Sequence, residues 1–363
     1  MTNKIFIIFY QKRGDNIDTK KQNLELCKSG TMSALVAQRP YVLVFKTTNW
    51  CWNRCAHCCE SSGPDAPRTF IPKSVIIDYT AQAAADPMFS KHVIFTGGEI
   101  MSAYKFAEER YVPDILNFAL DKKLGVDIKT NAGWAGTPIG EQIFRDIENV
   151  IRRQRPKIVT SNNSNRQFPL HVSLSLDRFH NDSIKRNFKF IEHFANKKIN
   201  GARLVARISS FTFDDEMFSE LLQQLHNAGI RVDTATIINS ETGQKKEGNL
   251  FSVNNNMVLE YGNSATLFDG GRAKNIAGAY HNPIPQFNFL TDDFQVLVAF
   301  DSFGNVTLGE NSGKKISVPW RDANGNARPM TDIRKDLITA TKAAEAEYIK
   351  QHSVLGFFGR FSR

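Results

Sequence analysis

Three of the chain's five cysteines, Cys51, Cys55 and Cys58, fall within eight residues, and Cys59 follows directly. Thiols so close together cannot staple distant parts of a 363-residue chain, so soft-metal ligation is a better reading than a disulfide framework. A zinc ion would take these cysteines together with His57 or Cys59. An iron–sulfur cubane held by only three thiolates would keep one iron open to an outside ligand, and an open coordination position marks a reactive site. Spacing alone leaves both readings standing. Cys27 lies apart from the group.

Other residues able to do chemistry recur at intervals further along. Thr96-Gly97-Gly98-Glu99 offers a turn that permits close backbone approach, followed by a carboxylate that could accept a hydrogen bond from a cationic amine. Lys129-Thr130-Asn131 and Ser175-Leu176-Asp177 end two further apolar runs. His180 follows Asp177 closely and reads more readily as a surface histidine than as a catalytic base. Arg207 interrupts an apolar run and therefore needs a carboxylate or phosphate partner, either within the protein or on a ligand.

The elements that must position these residues alternate. Tyr41–Thr47, His92–Thr96, Leu124–Thr130, Leu170–Leu176, Ala202–Ser209 and Ile230–Ile238 have the composition of strands. Val75–Ala85, Val112–Lys122, Ile139–Arg152, Ser183–Asn196 and Glu216–Asn227 have helical spacing, with Ser74 as the expected cap of the first and Gly229 ending the last. Such alternation demands a parallel sheet with right-handed crossovers, whose carboxyl ends collect the chemistry. The cysteine loop and the later polar residues nearly all fall at those ends. After residue 250 the rhythm stops. Phe294–Asp301 and Asn305–Leu308 read as a hairpin, and Asp332–Gln351 as a helix. Residues 1–40, with an apolar run at Ile5–Tyr10, read as a cap or arm.

The cysteine spacing, followed one βα unit later by Gly-Gly-Glu, resembles the signature of the radical S-adenosylmethionine (SAM) superfamily. That resemblance implies an α/β fold, a partial (β/α)6 barrel over residues 41–240 with a smaller C-terminal α+β extension over 241–363. It implies that Cys51, Cys55 and Cys58 hold one [4Fe–4S] cluster, that SAM chelates the open iron, and that His57 lies near the adenine. Gly97, Gly98 and Glu99 match the motif holding the SAM amino group. Asn131, Ser175 and Asp177 match positions contacting its ribose and carboxylate, and Arg207 matches a carboxylate-binding arginine. An electron donor such as flavodoxin or ferredoxin is implied. Gly270-Gly271-Arg272-Ala273 and Phe300–Gly309 resemble the SPASM/twitch-type extension of peptide-modifying members, yet no cysteine follows Cys59, so a single cluster is expected.

The resemblance implies hydrogen abstraction from a substrate, peptide or small molecule, and assigns no general acid or base. A formal net charge of +9 would suit a nucleic acid or another acidic partner, but the basic residues are dispersed. RNA or nucleotide modification and a non-catalytic zinc module are the competing functions. With no apolar run long enough to span a bilayer, and Ile5–Tyr10 too short for a signal core, a cytoplasmic protein without membrane contact is expected.

Overall fold

The structure is a computed structural model that describes residues 31–159, 170–197, 204–210, 214–234, 237–238, 245–246, 250–254, 256–263, 272, 275, 296–308 and 316–358. The apolar run at Ile5–Tyr10 lies outside the described residues. Helix α1 (Thr31–Gln38) leads into strand β1 (Tyr41–Lys46), and βα alternation follows. The next elements are α2 (Lys73–Ala85), β2 (Phe89–Thr96), a 3-10 turn at Ile100–Ser102, α3 (Ala103–Phe106), α4 (Tyr111–Asp121) and β3 (Gly125–Thr130). After them come α5 (Pro138–Val159), β4 (Leu170–Ser175), α6 (Ser183–Ala195), β5 (Leu204–Ser210) and α7 (Asp215–Asn227). The remaining strands are β6 (Val232–Thr234), β7 (Ile237–Ile238), β8 (Lys245–Lys246), β9 (Leu250–Val253), β10 (Met257–Asn263), β11 (Val296–Asp301), β12 (Asn305–Leu308) and β13 (Ser317–Pro319), before helix α8 (Met330–Phe358).

Among the described residues, eleven strands form one mixed sheet in the order β13-β12-β11-β1-β2-β3-β4-β5-β10-β9-β6. From β11 to β10 every neighbouring pair is parallel. Antiparallel strands finish both ends, and β13 does not pair with β6, so the sheet is not closed. The fold is thus the expected α/β class with a large parallel sheet.

The strand expected at Ile230–Ile238 needs correction. Its residues divide between edge strand β6, antiparallel to β9, and the separate β7–β8 pair. The place beside β5 goes to β10. Burial explains the exchange: Asp233 and Thr234 are exposed, which suits an edge, whereas Met257, Val258 and Leu259 are buried on both faces, as an interior parallel strand requires. The expected 294–308 hairpin is present, and its first strand, β11, lies against β1.

Alternation along the strands separates two faces. Leu43, Phe45, Phe95, Ile128, Leu174 and Ile208 belong to the main apolar core, which continues into Trp320, Ile333 and Leu337. The intervening residues of the same strands, among them Lys46, Asp127, Ser173, Ser175 and Arg207, occupy the opposite face, with Val42, Val44, Ile94 and Ala299 as a small apolar cluster. Two helix ends show how local sequence sets the element boundaries. Helix α2 begins at Lys73, after Pro72, with the Lys73 amide donating to Glu108 Oε1 at 2.9 Å, so Ser74 lies inside the first turn and is not its cap. Helix α7 ends in a Schellman motif, in which Gly229, at φ +73°, donates to His226 while Ile230 donates to Leu225.

Tyr79 on α2 ties the sheet's helical layer to the C-terminal strands. It is fully buried, and its hydroxyl contacts the carbonyls of Trp320 at 2.9 Å and Arg328 at 2.8 Å. Replacing Tyr79 by Phe should cost about 0.5–1.5 kcal/mol, the net worth of one hydrogen bond, because the hydroxyl has one proton to share between the two carbonyls and that of Trp320 keeps the Arg328 amide as a donor. The check is the urea midpoint, with one cooperative transition retained, as a core shared by both regions requires. An unchanged midpoint would show that the link carries no stability.

Candidate functional site

The cysteine loop leaves β1 at Lys46 and is gripped along one side by the end of β2. The amides of Thr47, Gly98 and Glu99 donate to the carbonyls of Thr96, Thr48 and Trp50 at 2.9, 2.7 and 2.9 Å. This grip explains the glycine pair. A methyl group on Gly97, whose φ is +133°, would lie 2.4 Å from the Thr48 carbonyl oxygen, and one on Gly98 would lie 2.2 Å from that of Trp50. Neither contact is sterically possible without moving the loop. On the far side, the Cys51 amide donates to Gly63 at 3.2 Å and the Trp50 indole to Pro64 at 3.2 Å. Both glycines were expected at the cofactor; what the structure gives them is this backbone contact with the cysteine loop.

Each of the three motif sulfurs is met by an N–H group. Cys51 Sγ accepts from the Asn131 side-chain amide at 3.3 Å and from the Asn53 amide at 3.4 Å, and Cys58 Sγ accepts from the Ser62 amide at 3.3 Å. Cys55 is hydrogen-bonded to the His180 ring. Such donors favour a thiolate over a thiol. Burial pushes Cys51 the other way, up to about 12, with the charge of Glu99 adding to the effect and the Asn53 amide opposing it. A thiolate at this position therefore calls for a cation beside it, which is what a metal centre supplies. Trp52 Nε1 and Asn53 Nδ2, between the first two cysteines, are buried without a hydrogen-bond partner, and a group rich in acceptor atoms would satisfy them. The donor set thus fits an iron–sulfur cluster.

Glu99 is 1% exposed. Its carboxylate accepts from the Thr130 hydroxyl at 2.8 Å, the Asn131 amide at 3.0 Å and the Met101 amide at 3.1 Å. Thr130 in turn accepts from the Trp134 indole at 3.0 Å and the Ala132 amide at 3.1 Å, so its hydroxyl is fully used. Burial raises the pKa of Glu99 despite these donors. Three donors leave one acceptor position on the carboxylate, and an ammonium group would supply the positive charge that the buried anion lacks. The pocket chemistry therefore fits the amine of SAM. The same network shows why Asn131 belongs to the site: the carboxylate pins its backbone while its side chain reaches Cys51.

Beyond β4, Asp177 folds its own turn by accepting from the amides of Phe179 at 2.9 Å and His180 at 3.1 Å, and it holds His180 Nδ1 at 2.8 Å. Burial alone would lower the pKa of His180, but the bonds to Asp177 and Cys55 outweigh it and raise the imidazole to about 10. Asp177, for its part, is held below the usual carboxylate range: burial opposes this, and the His180 contact prevails. His180 is therefore not the surface histidine suggested by its sequence context. His57 packs on Phe179 and His180, with ring centroids 4.9 and 4.8 Å apart, and lies 3.9 Å from Asp177 Oδ2. Burial lowers its pKa to about 4.

Ser175 ends β4 on the face away from the main core, and its carbonyl accepts from Asn187 at 2.9 Å. Arg207 is engaged by Glu260 at 3.0 Å and Asp127 at 3.5 Å, while Asp127 also accepts from Ser173 at 2.7 Å. Of the two partners weighed from the sequence, the geometry thus supplies the one within the protein. One contact escaped the sequence reading, which placed Arg272 in the Gly270–Ala273 motif but gave it no role at the cysteine loop. Arg272 crosses to the cysteine loop, where its side chain donates to the carbonyls of Cys55 at 3.0 Å and Ser62 at 2.5 Å and its amide to that of Cys58 at 3.0 Å. That motif does not reveal partners more than two hundred residues away.

No family model matches the sequence, and neither does any curated protein. Among solved structures the chain is similar to Streptococcus suis SuiB. The SAM-bound form shares 14% identity at a TM-score of 0.40, covering 82% of this chain and 67% of SuiB. A second SuiB structure gives 12% identity and 0.39 over 84% and 68%. SuiB bound to precursor peptide SuiA gives 13% and 0.34 over 82% and 66%. None of the described helices is long and apolar enough to cross a membrane.

The grip on the cysteine loop is directly testable. Gly98→Ala should destabilise the fold by about 1–3 kcal/mol, the usual cost of overpacking against atoms that cannot withdraw. Thermal unfolding measures it, and an unaltered midpoint would show that the loop stands clear of Gly98.

Proposed function

We propose that this chain is a radical SAM enzyme with one [4Fe–4S] cluster on Cys51, Cys55 and Cys58. The observation that carries the reading is the pairing of three N–H-supported sulfurs with a buried carboxylate short of positive charge, joined through Asn131. A cluster held there would supply the reducing electron for cleavage of SAM to methionine and a 5′-deoxyadenosyl radical, the species that would abstract hydrogen from the substrate.

This chain's own residues hold and shield the parts. Glu99 accepts the amine of SAM, and the Gly97-Gly98 backbone fixes the approach of the cysteine loop to that carboxylate. Asp177 and Ser175, at the end of β4, contact the ribose and carboxylate, and His57, on its Phe179 support, faces the adenine. Arg272 keeps the back of the loop closed. A flavodoxin or ferredoxin donates the electron. The substrate class we put forward is a peptide, on the resemblance of Gly270–Ala273 and Phe300–Gly309 to the C-terminal region of peptide-modifying members.

Anaerobic reconstitution should give a brown protein with about four irons per chain. Cys51→Ala, Cys55→Ala and Cys58→Ala should each abolish iron uptake, whereas Cys59→Ala should not. Iron analysis and electron paramagnetic resonance of the reduced protein decide this, and stoichiometric zinc without any iron uptake would overturn the proposal.

The SAM pocket is tested separately. Glu99→Gln, which keeps the shape but removes the charge, should weaken SAM binding roughly tenfold to a hundredfold, the loss expected when an ammonium forfeits a charged acceptor at about 1.5–3 kcal/mol. The reduced wild type should form 5′-deoxyadenosine from SAM. Equal SAM affinity in the variant and the wild type would remove Glu99 from the pocket.

A further inference from the structure

Cys55, His57 and His180 each present a ligand atom, and these three atoms lie within 4.8 Å of one another; Cys51 and Cys58 stand outside that group. Two imidazoles and one thiolate form a donor set of the borderline-soft kind that zinc prefers. Zinc bonds of about 2.0–2.3 Å place tetrahedral ligands about 3.3–3.8 Å apart, so modest side-chain rotation would close this group around one ion.

The surroundings of the group are those of a metal-binding histidine. Asp177 holds His180 Nδ1 at 2.8 Å, which leaves Nε2 for the ion, and a carboxylate on the far nitrogen is the arrangement that orients zinc-bound imidazoles. Asp177 is itself fixed by the amides of Phe179 and His180. The two rings meet edge to face at 76°, and Phe179 backs His57. Cys55 is buried, and its carbonyl is tied down by Arg272.

We propose that Cys55, His57 and His180 form a second metal site that binds a single zinc-class divalent ion, with Asp177 as its positioning residue. Zinc takes the sulfur as thiolate and each imidazole through an unprotonated nitrogen, and three protein ligands leave the fourth tetrahedral position to water. Since Cys55 belongs to both ligand sets, zinc and the cluster exclude each other. That exclusion rests on the cluster reading above, whereas zinc binding does not.

The test uses the full chain, reduced and stripped of metal under anaerobic conditions, titrated with zinc against a chromophoric chelator. One equivalent should bind. Asp177→Asn should lower affinity roughly 10–100-fold, the usual effect of losing such a partner, and Cys55→Ser and His180→Asn should lower it at least as far. Cys51→Ser and Cys58→Ser should leave it unchanged. Cobalt provides a readout on the unaltered chain: its sulfur-to-metal charge-transfer band should have the intensity of one thiolate. Failure to bind zinc, wild-type affinity in His180→Asn, loss of affinity in Cys51→Ser or Cys58→Ser, or a cobalt band of two or three thiolates would overturn the site. Iron uptake distinguishes the two readings. A chain that binds zinc in this pattern but never iron keeps this site and loses the cluster, and one that takes up iron but shows none of the zinc pattern does the reverse.

Discussion

The arrangement around the cysteines depends on one buried carboxylate. Glu99 follows the glycine pair just after β2, receives the hydroxyl of Thr130 and the amide of Asn131 from the end of β3, and donates its own amide to Trp50 in the cysteine loop. Three segments far apart in sequence thereby meet at a single group. A charge left 1% exposed would be costly on its own, and hydrogen-bond donors reduce that cost without cancelling it, since burial still raises the pKa. The remaining shortfall is what the proposed ammonium group of SAM would offset. Neutralising the carboxylate would relax the demand but also loosen Asn131, whose side chain reaches Cys51. Structure and binding chemistry thus converge on the same atoms.

Periodicity made the βα core legible because its strands carry one face into a continuous apolar core, and β1, β3, β4 and β5 fall within a residue or two of the expected runs. It failed at Ile230–Ile238 for a physical reason. Apolar residues there are too few and too interspersed with polar ones to fill an interior position, and a chain segment that is fully apolar for three consecutive residues, Met257 to Leu259, takes it instead. Order along the sequence does not decide which strand completes a parallel sheet. Burial on both faces does.

The candidate site was legible wherever its residues came from the loops that leave the strand ends. Cys51, Cys55, Cys58, Gly97, Gly98, Glu99, Asn131 and Asp177 all lie there, because a parallel sheet brings its carboxyl ends together whatever the loop sequences are. What could not be read was partnership. His180 carries no mark of its contact with Cys55, which depends on how the 177–183 turn swings the ring toward the neighbouring loop. Arg272 carries none of its contact with the carbonyls of Cys55 and Ser62. Arg207 was readable as needing a carboxylate, but the register that aligns it with Glu260 on β10 depends on the same strand exchange that the sequence concealed.

That exchange also bears on how the C-terminal part serves the site. Strand β11 runs in register with β1, pairing Asp301 with Lys46, the last strand residue before the cysteine loop, while β10 extends the opposite side of the parallel core. Residues after 250 therefore flank the first and last strands of the βα series, and Arg272, between them in sequence, returns to the loop itself. An extension attached only for substrate capture would need no such contacts. Here the loop's carbonyls find donors in Arg272, and the strand that launches the loop is held in register by β11. The cysteines are thus positioned from both sides of β1, and the C-terminal part belongs to the construction of the site as much as the βα core does.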